Sequence, residues 1–304
     1  MIVVRLWGGL GNQMFQYACA YALSKKNNDE VILDTRFFTE EYLRSNPHFT
    51  KQKLNILNFP VDFTRRINQK SELKFINLLQ NRTISRIIRI PPKFSCKADH
   101  GLQYIKETRL EYLSYINNEK FKDIYLDGYW QTEMYFLDSR TDLVRQFTLN
   151  SKMAHDYAIK EMLQDYNSVA VHLRMGDYST SKKRTTHYNY IINPLYYKNA
   201  INYINEQVYS PRFYIFSNNI TKAKELLGES SEFIYVNEDR RMSDLDEFEI
   251  MSLCKHHIIS NSTFSWWAAW IAEQRDAINI GPDIKFGNSK ILPENWIKVS
   301  VPEC

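Results

Sequence analysis

The chain has 304 residues, of which 44% are hydrophobic and 24% charged, and its net charge is +4. That balance excludes a disordered chain and gives no bulk charge on which nucleic-acid binding could rest. No apolar run approaches the roughly 20 residues that span a bilayer, and no basic-then-apolar leader is visible, so a cytoplasmic protein is expected.

The chain opens as strand, glycine turn, helix, strand. Residues 2–6 form an apolar run suited to a buried strand, and Gly8-Gly9-Leu10-Gly11-Asn12 follows as a turn. Met14, Phe15, Ala18, Ala22 and Leu23 then line one side of a helix, and residues 31–34 return as a strand. Parallel strands need such a crossover, so this is a βαβ unit. Between residues 40 and 120 the periodicity is weak, and Pro91-Pro92 interrupts it. The basic residues Arg65, Arg66, Lys70, Lys74, Arg82, Arg86, Arg89, Lys93 and Lys97 are interleaved with Ile84, Ile87, Ile88 and Ile90. They read as a solvated helical face, with peripheral contact to the inner membrane as the second reading of the 65–97 stretch.

Residues 124–127 make a further strand, leading into Gly128-Tyr129-Trp130-Gln131. Strands are then expected at 169–173, 213–216, 233–236, 257–260 and 277–280, with helices between most of them. Pro194 is placed to start one helix, and Ser243 with Asp246 forms a capping box before another. This alternation predicts an α/β chain of two Rossmann-like domains, 1–160 and 161–304, facing a central cleft. Cys19, Cys96, Cys254 and Cys304 show no CxxC or CxxH spacing, which argues against structural zinc and a disulfide framework. Cys19 and Cys254 lie in apolar helical patterns and are expected to pack as small hydrophobes.

Three of four polar clusters sit just after expected strands, where open α/β sheets bind ligands. The glycines of Gly8–Gln13 would let backbone N–H groups approach a phosphate, and the amides of Asn12 and Gln13 would reach sugar hydroxyls or a diphosphate. The spacing is neither a dinucleotide fingerprint nor a P-loop. In His172-Leu173-Arg174-Met175-Gly176-Asp177, strand alternation points His172 and Arg174 to one side. The Arg174 fork suits a diphosphate leaving group, and Asp177 could accept a proton from an attacking hydroxyl; a His and an Arg closing a strand with ordinary hydrogen bonds fit the motif equally well. Asn218 and Asn219 in Phe216-Ser217-Asn218-Asn219 equally suit a polar turn. In Ser260-Asn261-Ser262-Thr263-Phe264-Ser265-Trp266-Trp267 the hydroxyls suit helix capping or phosphate oxygens, while Trp266, Trp267 and Trp270 should face a core.

Together these motifs resemble the α-1,2-fucosyltransferases of glycosyltransferase family 11. Gly8–Gln13 with Phe15 and Ala18 matches the opening GGLGNQ-F-A pattern, and His172, Arg174 and Asp177 match HxRRxD. Gly128–Gln131 with Glu133 and Phe136 matches GYWQ-E–F, and Ser262, Phe264–Trp267 and Trp270 match S–FSWW–W. The resemblance implies a GT-B fold, GDP-fucose as donor, a galactose-terminated glycan as acceptor, inversion, and neither metal nor cofactor. It implies a donor site of Gly9, Gly11, Asn12, His172, Arg174, Ser217, Asn218, Asn219, Ser262, Thr263, Phe264 and Ser265. Gln13, Tyr129, Trp130, Gln131 and Glu133 would take the acceptor, and Arg174, Asp177, His172 and Asn12 would be catalytic, with Glu133 as the second candidate base. Two positions depart from the pattern: Met175 replaces the second motif arginine, and Asn218-Asn219 stands where acidic residues are usual. Another sugar nucleotide as donor, or a glycan-binding protein without catalysis, are the alternatives.

Overall fold

The computed structural model describes residues 1–47, 52–81, 94–97, 99–107, 112–114, 116, 122–149, 152, 156–157, 167–174, 193–228, 230–239, 241–272, 276–283 and 291–300. Asp177, Met175, Pro91-Pro92, Cys304 and the basic residues between 82 and 93 lie outside that set. By their contacts the residues form two compact units: Met1–Phe147 with Lys285–Pro293, and Thr148–Ile284 with Glu294–Cys304. The seam thus falls at Phe147, against the 160 read from the sequence. Among the described residues both units are α/β with six strands each, the composition expected of a GT-B chain.

In the first unit, β1 (Ile2–Arg5) leads through α1 (Leu10–Asn27) to β2 (Val31–Asp34). Strands covered on both faces must be apolar throughout, and Ile2, Val3, Val4, Val31, Ile32 and Leu33 are all buried. Helix α1 stops at Asn28, which is left-handed at φ 54° and bonds back to Lys25 and Ser24 carbonyls. The unit continues through α2 (Glu40–Ser45), β3 (Arg65–Ile67), α3 (Lys74–Gln80), β4 (Phe94–Lys97), β5 (Gln103–Lys106), β6 (Ile124–Asp127) and α4 (Arg140–Gln146). The sheet order is β3-β2-β1-β6-β5-β4, parallel except for the β4–β5 pair. The Rossmann pattern therefore holds from β1 to β3, after which the chain enters at the far edge and works inward to β6. A charged layer closes the carboxyl edge of this sheet. Arg5 Nη1 donates to Asp127 Oδ1 at 3.0 Å, Tyr104 donates to Asp127 Oδ2 at 2.6 Å, and Arg36 clasps Asp34 with Nε and Nη2. Burial alone would raise the Asp127 carboxyl, but Arg5 and Tyr104 hold it below its ordinary value.

In the second unit, β7 (Ser168–Leu173), α5 (Pro194–Gln207), β8 (Arg212–Ser217), α6 (Ile220–Leu227) and β9 (Phe233–Tyr235) build one half. Helix α7 (Asp244–Leu253), β10 (His256–Ile258), α8 (Thr263–Ala272), β11 (Asn279–Asp283) and β12 (Ile297–Ser300) build the other. The order β12-β11-β10-β7-β8-β9 is the Rossmann order, with every pair parallel. Pro194 opens α5 and Ser243 with Asp246 forms the capping box of α7, both as read from the sequence. Among the described residues six strands stand where the sequence predicts five, the addition being β12, and β11 begins at Asn279 rather than 277. Val169, Val171 and Leu173 join the core beneath α5, so Ala170 and His172 face the side of α7 and α8. Trp266, Trp267 and Trp270 are buried on α8, and Cys19 and Cys254 are buried free thiols. Among the described residues, no helix is long and apolar enough to cross a membrane.

Candidate functional site

In the second unit the chain reverses direction across the sheet between β7 and β10. Such a switch point leaves a crevice outside the carboxyl ends of the two strands. His172 and Arg174 come from the end of β7, and Ser260 and Ser262 from the turn joining β10 to α8. The Ser260 hydroxyl and His172 Nδ1 are 2.9 Å apart, and Arg174 Nη1 donates to Ser262 Oγ at 3.4 Å. Arg174 is exposed, whereas His172 is 8% exposed and its ring lies 6.0 Å from that of Phe264. Burial, and then the Arg174 charge, push His172 down to about 3, so its ring is neutral at physiological pH. Nδ1 faces the serine, and no described residue bonds Nε2. The Ser262 carbonyl accepts the Trp266 N–H, which places Ser262 at the cap of α8, where the helix presents partial positive charge. The cluster joins a cation, a neutral imidazole and a helix start, a combination suited to an anionic nucleotide.

The first unit has its own switch point, between β1 and β6. Here Gln131 Nε2 donates to Asn12 Oδ1 at 2.9 Å, tying the turn after β6 to the first turn of α1. Gly9 caps α1 in extended conformation, and a side chain there would meet nothing within 4 Å. Gly8 has φ +82°, which favours glycine, and a Cβ on it would lie 2.7 Å from Asn12 Nδ2 and displace that amide. Trp7 and Tyr129 pack with ring centroids 4.2 Å apart and planes tilted by 30°, and Arg5 lies over the Trp7 ring. Among the described residues, no group of three or more His, Cys, Asp or Glu side chains is placed to hold a metal ion.

Residues 1–299 match the model of glycosyl transferase family 11. The chain belongs to that family. It is 32% identical to the alpha-1,2-colitosyltransferase of Escherichia coli, over 98% of this chain and 99% of the relative. The O-antigen biosynthesis glycosyltransferase WbnK of Escherichia coli is 30% identical over 97% and 99%. The galactoside alpha-(1,2)-fucosyltransferase 2 of Pongo pygmaeus is 23% identical over 98% of this chain and 74% of its own length. Among solved structures, NodZ alpha-1,6-fucosyltransferase soaked with GDP-fucose gives a TM-score of 0.49 at 12% identity, over 89% and 91% of the two chains.

As a family 11 glycosyltransferase, the chain corrects several expectations drawn from its motifs. Gln13 is fully buried; its Nε2 donates to the carbonyls of Gly8 and Lys53, and its Oε1 accepts from Ile56 N–H. It pins residues 53–56 to α1 and has no surface for an acceptor. Trp130 is also fully buried, edge-on to Tyr135, so Tyr129 and not Trp130 is the ring of this motif at the surface. Ser265 is buried and its hydroxyl donates to the Ser262 carbonyl at the start of α8, so that hydroxyl is engaged within the helix start. Asn219 caps α6 by accepting the Lys222 N–H, while Ser217 is buried and bonds the Asn219 backbone. Both therefore follow the polar-turn reading, and Asn218 alone of the three is exposed. Gly11 is buried inside α1 rather than in the turn, because the helix begins at Leu10. Thr263 and Phe264 are half-buried at the start of α8, and Glu133 is half-buried in the short helix after β6.

Sequence reasoning missed Ser260, Trp7 and Glu107. In the sequence Ser260 is only the first residue of a polar cluster, yet it is the partner of His172. Glu107 follows a strand that the weak periodicity before residue 120 concealed. Its Oε2 accepts the N–H groups of Tyr129 and Trp130, at 2.6 and 3.2 Å.

Proposed function

We propose that this family 11 chain moves fucose from GDP-fucose to the 2-hydroxyl of a terminal galactoside in a surface glycan, with inversion and without a metal ion. The observation that carries the reading is Arg174, exposed at the end of β7 beside the capped start of α8. Its planar fork of donors matches two diphosphate oxygens, and the attraction grows as negative charge collects on the leaving group. Neutral His172, held through Nδ1, offers its other ring nitrogen to the nucleotide. As the acceptor oxygen bonds to the anomeric carbon, the bond to the β-phosphate breaks and GDP leaves. The hydroxyl proton passes to a base, for which Asp177 is the first candidate and Glu133 the second. The acceptor is taken up in the first unit, around Gln131 and Tyr129, and around Asn12, which its bond to Gln131 assigns to the acceptor side instead of the donor and catalytic roles expected of it. The name of the Pongo pygmaeus relative supports fucose and galactoside, and a cytoplasmic location for the transfer is part of the same proposal.

A second reading keeps the mechanism and changes the sugar. A colitosyl donor is favoured by the 32% identical relative. Exposed Asn218 in place of an acidic residue leaves the base contact open as well. Thermal-shift titration with GDP, UDP and CDP, followed by transfer assays with GDP-fucose and GDP-colitose in EDTA, tests both. A rise in melting temperature with GDP alone and an α-1,2-linked product by NMR are expected. No shift with any nucleotide would leave a glycan-binding protein instead, and loss of product in EDTA would refute metal independence.

A further inference from the structure

Glu107 stands just past β5, where its carboxylate reaches the turn that follows β6. That turn is held in an uncommon shape: Trp130, a bulky buried residue, has φ +58°. Such a conformation is costly for a large side chain and persists where its surroundings impose it. The imposing group is the Glu107 carboxylate, which accepts the adjacent N–H groups of Tyr129 and Trp130 on one oxygen. Gly128 completes the fit, since a Cβ there would lie 2.5 Å from Glu107 Cβ and 2.8 Å from the Trp130 ring. The next residue is Gln131, whose amide meets Asn12. The carboxylate, the left-handed turn and the Asn12–Gln131 pair are therefore one connected arrangement.

We propose that Glu107 is a positioning residue for the acceptor: its carboxylate holds the Gly128–Gln131 turn, and through Gln131 and Asn12 sets the polar edge that receives the acceptor sugar. The proposal rests on the reading that the acceptor binds in the first unit. It also gives the acceptor side a dependence on pH. Burial raises Glu107 to about 7, the Tyr129 and Trp130 N–H groups pull it partly back, and the Asp127 charge on β6 adds to the rise. Cys19 on α1 and Tyr135 in the helix after β6 also face it, and both are buried and raised well above neutrality. Asp127 is itself paired with Arg5 and held low. Glu107 is thus the group in this cluster that changes charge around neutrality. Protonation removes the negative charge and so weakens both charge-assisted bonds that Oε2 accepts from the turn.

The full chain and its Glu107→Gln variant test this with two readouts. Tyr129–Trp130 is the only Tyr-Trp pair in the sequence. Carbonyl-labelled tyrosine with amide-labelled tryptophan therefore isolates the Trp130 N–H by NMR. Its resonance should move with a midpoint of about pH 7 in the native chain and stay still in E107Q. The KM for a β-galactoside should rise about fivefold between about pH 8 and about pH 6, with kcat and donor KM changed less than about twofold. E107Q should show the raised acceptor KM at every pH. A titrating Trp130 amide beside a flat acceptor KM would make the carboxylate merely structural and overturn the proposal. An E107Q enzyme with native acceptor KM and native pH dependence would do the same, as would a Trp130 amide that does not titrate. A native chain that transfers no sugar to any galactoside marks failure of the functional reading, and the proposal falls with it. Failure in E107Q alone, beside an active native chain, concerns Glu107 only.

Discussion

The Ser260 hydroxyl lies 2.9 Å from His172 Nδ1, with both groups buried beside the ends of β7 and β10. Ser260 is 1% exposed, so its O–H needs an acceptor, and a neutral ring offers one at Nδ1. That tautomer carries its proton on Nε2. Replacing Ser260 by Ala frees the ring to adopt the other tautomer and leaves Nδ1 unbonded. GDP affinity should fall about three- to tenfold, with a stability loss of about 1 kcal/mol. Calorimetry with GDP and urea denaturation measure the two effects separately.

Acid should unfold the second unit through its histidines. Burial first, then Arg174, brings His172 to about 3, and burial with the neighbouring Lys255 charge brings His256 to about 4. His257 also falls to about 4 through burial, although its bonds to the Met251 carbonyl and the Asn279 side chain oppose the shift. Each folded value lies below the unfolded one of 6.5, so the fold favours the neutral ring. The contribution is complete above pH 6.5 and is lost as pH falls towards 4 and 3. Urea midpoints should drop on acidification from about pH 7 to about pH 4.5. His172→Gln should make that drop shallower.

Gly128→Ala forces a Cβ against Glu107 and Trp130, at 2.5 and 2.8 Å. The cost should be about 1–3 kcal/mol. In calorimetry this appears as a melting temperature lower by about 2–4 °C per kcal/mol. Gly9→Ala, whose Cβ meets nothing within 4 Å, should leave the melting temperature nearly unchanged.

Asn12 and Gln131 are 119 positions apart in sequence and share one hydrogen bond. Asn12→Ala and Gln131→Ala should each raise the acceptor KM. The double variant should lose less than their sum, with a coupling of about 1 kcal/mol. Donor KM under the same conditions serves as the control.

Legibility in the sequence followed the physics of each element. Strands β1, β2, β6, β7 and β8 are continuous apolar runs because both faces are covered, and such runs stand out. Strands β3 and β12 do not: Arg65 and Arg66 are exposed in one, and Lys298 and Ser300 are exposed in the other. At edges, the pairing is carried by the backbone and leaves little trace in residue type. His172 and Arg174 could be placed from strand alternation alone, whereas Ser260 could be paired with His172 only through the β7–β10 register. Gln13 and Trp130 show the reverse failure. Their residue types suit a sugar, but burial decides, and no local pattern reports that Gln13 bonds the backbone of residues 53 and 56. Glu107 was hidden for a similar reason, since its partners Tyr129 and Trp130 lie beyond any helical or strand spacing.

In the proposed reaction the guanidinium of Arg174 acts on the departing diphosphate. The direct measurement is kcat/KM of Arg174→Ala and Arg174→Lys against the native chain, with GDP-fucose and a β-galactoside, at unchanged melting temperature. A fall of about 10²–10³ in the alanine variant, with partial recovery in the lysine variant, is predicted. Turnover by Arg174→Ala within about threefold of the native chain would contradict it.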